Sequence, residues 1–206
     1  MAGNVHENLL SLNVNSTLVT NQDGVEKVRY VEQSTNHMIV RIDSGEEHIK
    51  RIKHLHLLPL ETYDAIVISD YNKGFLTEQD IEFIANHHEV VFLDTKKLLG
   101  EWASKVKFVK INQVEHQRTL HTIQNKPSIT DNLIITRGSK GCYYKGEIFP
   151  VERVEIKDLS GAGDTFMAGL VAKYLETDNI RESLKYANRC ATVVVQQKGV
   201  NTINDI

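Results

Sequence analysis

Four apolar runs in the middle of the chain constrain the fold more than any other feature. They are Ala65-Ile66-Val67-Ile68-Ser69, Val90-Val91-Phe92-Leu93, Val106 to Ile111, and Leu133-Ile134-Ile135-Thr136. The first is a continuous apolar stretch, as a parallel strand covered on both faces requires, and the others continue the pattern. Between the first two, Thr77 precedes a helical pattern, with Asp80 three residues on and Ile81 and Ile84 on one face. That arrangement is an amino-terminal capping signature. Strand, helix and strand at this spacing imply right-handed crossovers in a mostly parallel sheet.

The flanking regions are of other kinds. Val5, Leu9 and Leu12 are spaced for one face of a helix over residues 4–13. Ser16-Thr17-Leu18-Val19-Thr20 reads as a strand, and Asn21-Gln22-Asp23-Gly24 as a turn by composition. Residues 27–43 alternate with period two around Ser34-Thr35-Asn36, which predicts two paired strands. Cys142-Tyr143-Tyr144, Lys145-Gly146 and Ile148-Phe149 suggest a hairpin. A long helix follows Gly163 and another covers roughly residues 181–197. Without repeats, low-complexity stretches or a linker, residues 1–206 read as one compact domain with a small β appendage.

Bulk properties exclude several function classes. With 206 residues and 41% hydrophobic content, the chain is long enough for one sizeable core. A net charge of −3 offers no basic excess for nucleic acid or an anionic membrane. No run approaches the roughly 18 apolar residues of a membrane span, and no basic-then-apolar leader follows Met1. Cys142 and Cys190 lack ligand spacing and read as buried thiols, so a reducing cytoplasm is the expected location. Among the nine histidines, His54-x-His56 and His87-His88 have no third ligand at zinc-like spacing, so they read as surface or rim residues.

The chemistry is concentrated in Asp158-Leu159-Ser160-Gly161-Ala162-Gly163-Asp164. Gly161 and Gly163 let the backbone approach a ligand closely. An apolar helix begins there, and its first N–H groups at the positive dipole end make a ready anion site. A carboxylate at that spot does not help to bind an anion; Asp164 is better placed to take a proton from an attacking hydroxyl. The plain alternative is a tight turn with Asp164 as a helix cap.

Continued through Thr165-Phe166, this segment closely resembles the D-T-x-G-A-G-D-x-F signature of the PfkB carbohydrate kinases, with Leu159 at a position usually Thr or Val. Further segments resemble the family in its order: Asn112-Gln113-Val114-Glu115 its N-x-x-E, and Thr136-Arg137-Gly138 to Gly141 its T-x-G-x-x-G. Asn188, Ala191 and Gly199 resemble its adenine-side helix and the loop after it. Within the family, Ser69-Asp70-Tyr71-Asn72-Lys73-Gly74, Asp94-Thr95-Lys96, Arg41-Ile42-Asp43 and Gly3-Asn4-Val5 are similar to segments of the D-glycero-D-manno-heptose 7-phosphate kinases.

The resemblance implies a three-layer, mostly parallel ribokinase-like α/β fold with a β lid at residues 27–43. It implies phosphorylation of a sugar or sugar phosphate by ATP, with Asp164 as general base and Gly161, Ala162 and Gly163 lining an anion hole. Asn112, Glu115, Thr136, Gly138, Gly141 and Asn188 fall on the nucleotide side, with Mg2+ near Glu115 through water. Asn4, Asp70, Lys73, Asp94 and Lys96 fall on the acceptor side. Asp70 alternatively caps the turn after its strand, Lys73 and Lys96 alternatively face solvent, and Arg137 reads as structural. Asp158 and Ser160 lie where many relatives build a K+ loop. Relatives often pair through the lid, which implies a homodimer. The family's opening G-D strand and Gly-Gly pair would precede Met1. An active kinase and a degenerate remnant that binds nucleotide or a partner subunit are therefore both expected readings.

Overall fold

The computed structural model describes residues 2–21, 24–34 and 38–203. Helix α1 (Ala2–Ser11) is followed by an antiparallel ribbon of β1 (Glu26–Val31) and β2 (Met38–Ser44). The main sheet then begins with β3 (Ile66–Asp70), α2 (Glu78–His87), β4 (Val91–Thr95) and β5 (Phe108–Asn112). Helices α3 (Gln113–Ile123) and α4 (Pro127–Thr130) lead to β6 (Leu133–Thr136). The hairpin β7 (Cys142–Tyr144) and β8 (Glu147–Phe149) precedes α5 (Ala162–Thr177) and α6 (Ile180–Val194). The sheet order is β3-β4-β5-β6-β7-β8, with β3 to β6 parallel and the last two pairings antiparallel.

Strand geometry sorts the core into two halves, because successive side chains point to opposite faces. Ile68, Val91, Leu93, Val109, Ile111, Leu133 and Ile135 pack with Ile81 and Ile84 of α2 and Ile123 of α3. On the other face, Phe92, Phe108 and Ile134 pack with Val5 and Leu9 of α1 and Phe166, Met167 and Leu170 of α5. The result is three layers, helix on sheet on helix. Under α5, Tyr174 meets the rings of Phe92 and Phe108 edge-on, at 5.6 and 5.1 Å between centroids.

Most predicted elements appear within a few residues of expectation. The exception is residues 16–20, which form no strand: Leu18 and Val19 lie exposed in an irregular segment after α1. Their β-forming character is realised only against a ladder partner, and among the described residues they have none. The turn predicted at 21–24 and the lid tip around Thr35 lie partly outside the described residues. Among the described residues, no helix is long and apolar enough to cross a membrane. Both cysteines are buried, and burial pushes their thiols up to about 12.

The start of α2 is the best-defined cap. The Thr77 hydroxyl accepts from the Asp80 amide at 3.2 Å, and the Asp80 carboxylate accepts from the Thr77 amide at 2.8 Å. Arg51 adds a two-pronged contact to the same carboxylate, at 2.6 and 2.9 Å. Burial alone would raise the Asp80 pKa, but Arg51 and the Thr77 hydrogen bonds outweigh it and hold the carboxyl below its ordinary value. Asp80→Ala is expected to cost about 1–2 kcal/mol, read as a lower urea midpoint at neutral pH. A depressed folded-state pKa gives stability that is present above the unfolded value and lost as pH falls. The difference from wild type should therefore shrink as pH drops below the usual carboxylate range.

Candidate active site

The carboxyl ends of β3, β4 and β5 come to the start of α5 through Tyr71, Asp94 and Lys110, and strand alternation decides what they present there. Below, Phe92 and Phe108 fill the layer under α5; two residues further along the same face come Asp94 and Lys110. These two stand directly opposite each other in the β4–β5 register, with Lys110 Nζ 2.7 Å from Asp94 Oδ2. Open α/β sheets bind ligands at this edge.

Gly161 turns the chain into α5 with φ +82°, a conformation that side chains with a Cβ rarely adopt. The ladder of the helix starts with Thr165 N donating to Gly161 O at 2.9 Å, with Gly163 in the first turn ahead of it. The Ala162 amide already donates to Leu159 O at 3.3 Å, so it is less available for an anion than the resemblance implies. Asp158 holds the approach to this turn. Its carboxylate accepts from the Ser160 amide at 2.8 Å and the Gly199 amide at 3.1 Å, tying the two loops together. Burial opposes ionisation of Asp158, but the Ser160 and Gly199 hydrogen bonds keep its pKa below the ordinary value.

Asp164 is 5% exposed. Its carboxylate accepts from the Asn4 side-chain amide at 3.0 Å and from the Tyr71 hydroxyl at 3.4 Å. Asn4 comes from α1, 160 residues away in sequence, and its carbonyl is itself held by Asn8 at 2.7 Å. Burial, then the negative charge of Asp164, keeps the Tyr71 hydroxyl protonated far above its usual range, so Tyr71 is a donor. Tyr71 also lines a cavity of about 670 Å3 beside β3, bounded further by Gly3, Ser69, Asp70, Lys73 and Glu46. The Ser69 hydroxyl is buried without a hydrogen-bond partner among the described residues.

The remaining acceptor-side residues have partners within the protein. Asp70 accepts from the Thr95 hydroxyl at 2.8 Å and the Asn72 amide at 3.1 Å, and Lys97 lies 3.3 Å away. It thus caps the turn after β3. Lys96 lies over the Tyr71 ring at 4.8 Å. Lys73 pairs with Glu46, which also takes Lys27 at 2.9 Å; Lys27 in turn reaches Asp43 at 3.0 Å beside Arg41. A chain of ion pairs therefore runs from the base of the lid to the loop after β3.

On the other side, Asn112 and Glu115 form a reciprocal capping box at the start of α3, with hydrogen bonds of 2.9 and 2.8 Å. The N-x-x-E spacing is itself a cap signature, a signal that the sequence reading passed over. Burial raises the Asp94 pKa, Lys110 opposes that, and the charges of Glu115 and Asp164 add to the rise. Thr136 donates to Ile111 O at 3.4 Å. Gly138 and Gly141 shape the loop into β7, both at positive φ. Asn188, 5% exposed, donates to Phe149 O at 2.8 Å and pins the hairpin to α6. Lys110 was not among the candidates from sequence. The signal for it was a lysine within an otherwise apolar strand.

A Cβ on Gly161 would stand 2.9 Å from the Asn4 side-chain nitrogen, in addition to the φ penalty. Gly161→Ala is expected to cost about 1–2 kcal/mol, read by urea denaturation. Gly24→Ala, where a Cβ meets open space, is the control and should leave the midpoint nearly unchanged.

The chain is 26% identical over 200 residues to the bifunctional protein HldE of Helicobacter pylori (strain Shi470), covering 84% of this chain and 43% of that protein. It is 27% identical over 208 residues to the bifunctional protein HldE of a Nitratiruptor species, covering 90% and 44%. The chain thus spans less than half the length of these curated relatives. Among solved structures, it is similar to the Burkholderia thailandensis nucleoside kinase in complex with inosine, at TM-score 0.73 and 15% identity, covering 97% of this chain and 80% of that one. It is also similar to Arabidopsis thaliana ribokinase complexed with ribose and ATP, at TM-score 0.67 and 19% identity, covering 90% and 68%. These likenesses establish the ribokinase-like fold. The pattern of the pfkB family carbohydrate kinases matches residues 4–206, and the chain belongs to that family.

Proposed function

We propose that the chain phosphorylates a sugar or sugar phosphate at the expense of ATP, with Asp164 as general base. The observation that carries this reading is the Asp164 carboxylate, oriented by Asn4 and Tyr71 at the first turn of α5, where backbone amides favour an anion. An acceptor hydroxyl beside Asp164 gives its proton to that carboxylate as its oxygen forms a bond to the γ-phosphorus. The bond from that phosphorus to the bridging oxygen breaks, and ADP leaves with the electron pair. The backbone of the turn at residues 161–163, with the Gly163 amide foremost, faces the charge on the transferred group, which is positioning plus electrostatics rather than covalent catalysis.

Mg2+ fits as a partner of the nucleotide. The charges of Glu115 and Asp164 are felt at Asp94, but no group of three metal-ligating side chains gathers among the described residues. The cation would therefore be held largely by phosphate oxygens and water, with help from Glu115 through water, and would neutralise phosphate charge. K+ near Asp158 belongs to the same proposal, although both oxygens of that carboxylate already accept backbone amides. A heptose 7-phosphate is the acceptor suggested by the likeness to HldE, and the cytoplasm is the expected compartment.

The lid offers an apolar face. Val28, Tyr30, Val40 and Ile42 share one side of the ribbon in register, each between 41% and 54% exposed. A two-stranded ribbon with such a face needs a cover to be stable. We assign that cover to the lid of a second copy. Light scattering is expected to give twice the 23.4 kDa chain mass, and Tyr30→Asp is expected to return the monomer. A monomeric wild type would count against the pairing.

Asp164→Asn keeps the shape and removes the base. Turnover in a coupled ADP-release assay over a panel of sugar phosphates should fall by about 10²–10⁴-fold, with nucleotide binding retained. Unchanged turnover would sink the general-base role. A wild type that binds ADP by calorimetry yet never turns over would favour the degenerate reading.

A further inference from the structure

We propose that Lys110 is a catalytic residue, its ammonium contacting the phosphoryl group in transfer while Asp94 positions it. The inference rests on the kinase reading above and adds a residue to it. Lys110 is 5% exposed, in a strand whose neighbours Phe108, Val109 and Ile111 are all buried and apolar. Taking an ammonium out of water costs several kcal/mol unless it is paired, and Asp94 supplies the pair at 2.7 Å. Stability alone gives no reason for the pair, because apolar replacements of buried ion pairs are often neutral or stabilising.

Location supplies the reason. A Cβ built on Gly163 would lie 3.1 Å from Lys110 Nζ, so the ammonium rests against the glycine at the first turn of α5. Helix dipoles favour cations at the carboxyl end and disfavour them here. Two sources of positive potential, the first-turn amides and the ammonium, therefore converge on one spot beside Asp164. An anion between them relieves that repulsion. One of the three N–H groups of Lys110 is committed to Asp94, which leaves donors for non-bridging phosphoryl oxygens. Gly163 is required for the same approach, since any side chain there would fill the gap. During transfer, the acceptor proton passes to Asp164, the acceptor oxygen bonds to phosphorus, and the bond to ADP breaks. Lys110 neither gains nor loses a proton and serves as fixed charge.

The test uses Lys110→Met, Asp94→Asn and the double variant, which removes both buried charges together. Three quantities are measured: the urea midpoint, the affinity for ADP, and kcat with the acceptor that the sugar-phosphate panel identifies. Binding of ADP with tetrafluoroaluminate, a mimic of the phosphoryl group in flight, is measured alongside. Lys110→Met is expected to lower kcat by about 10²–10³-fold and to abolish the extra affinity conferred by tetrafluoroaluminate, with ADP affinity nearly unchanged. The double variant is expected to recover the urea midpoint of wild type but not its kcat. A folded double variant with kcat near wild type would overturn the proposal, reducing Lys110 to a counter-ion for Asp94. A wild type with no turnover on any acceptor would overturn the kinase reading and this inference together. Turnover in wild type and variants alike would overturn only the inference.

Discussion

The structure depends on the alternation of side chains along β4 and β5. On the face toward α5, each strand places an aromatic residue in the layer beneath that helix and a charged residue at its carboxyl end. Phe92 and Phe108 build the floor on which Tyr174 and Met167 pack. Asp94 and Lys110, one step further along, sit at the level of the first turn of α5. The floor therefore fixes the height of the helix, and the height of the helix brings its amides and Asp164 to the charged pair. A shift of one residue in either strand would put the charges on the opposite face, among the side chains packed on α2 and α3.

Long-range contacts complete the arrangement. Asn4, near the start of the chain, orients Asp164; Asn8, one turn later, holds the Asn4 carbonyl and lies within 3.3 Å of the Thr165 hydroxyl and the Ile203 amide. Helix α1 thus serves as a brace between the first turn of α5 and the end of the chain. Burying Val5 and Leu9 against the same aromatic layer keeps the brace in place. Gly161 belongs to the same unit, since its bare backbone is what allows the Asn4 amide to come so near.

Several residues that resemble family site positions are engaged in holding the scaffold. Asn112 and Glu115 cap α3, Asn188 pins the hairpin to α6, Asp70 caps the turn after β3, and Asp158 joins two loops. Each brings a polar group to the edge of the site by first satisfying backbone groups that would otherwise be left without partners. Lys73 and Glu46 extend the network to the lid. A site assembled from caps and turn locks is stiff, which suits a reaction that relies on fixed charge and orientation.

The sequence by itself determined the strands, their mostly parallel pairing through crossovers, the lid ribbon, the capped start of α2, and the Gly-Ala-Gly-Asp turn, because each is written in local periodicity, caps and glycines. It overstated residues 16–20, where β-forming side chains have no ladder to join. Only the tertiary structure decided which polar side chains are free to act and which are consumed as caps, because hydrogen-bond partners such as Asn4 and Asp164 lie 160 residues apart. It alone brought out Lys110. In sequence that residue is a lysine interrupting a strand; its meaning comes from Asp94 across the ladder and Gly163 above it, neighbours that exist only once the sheet and α5 have packed.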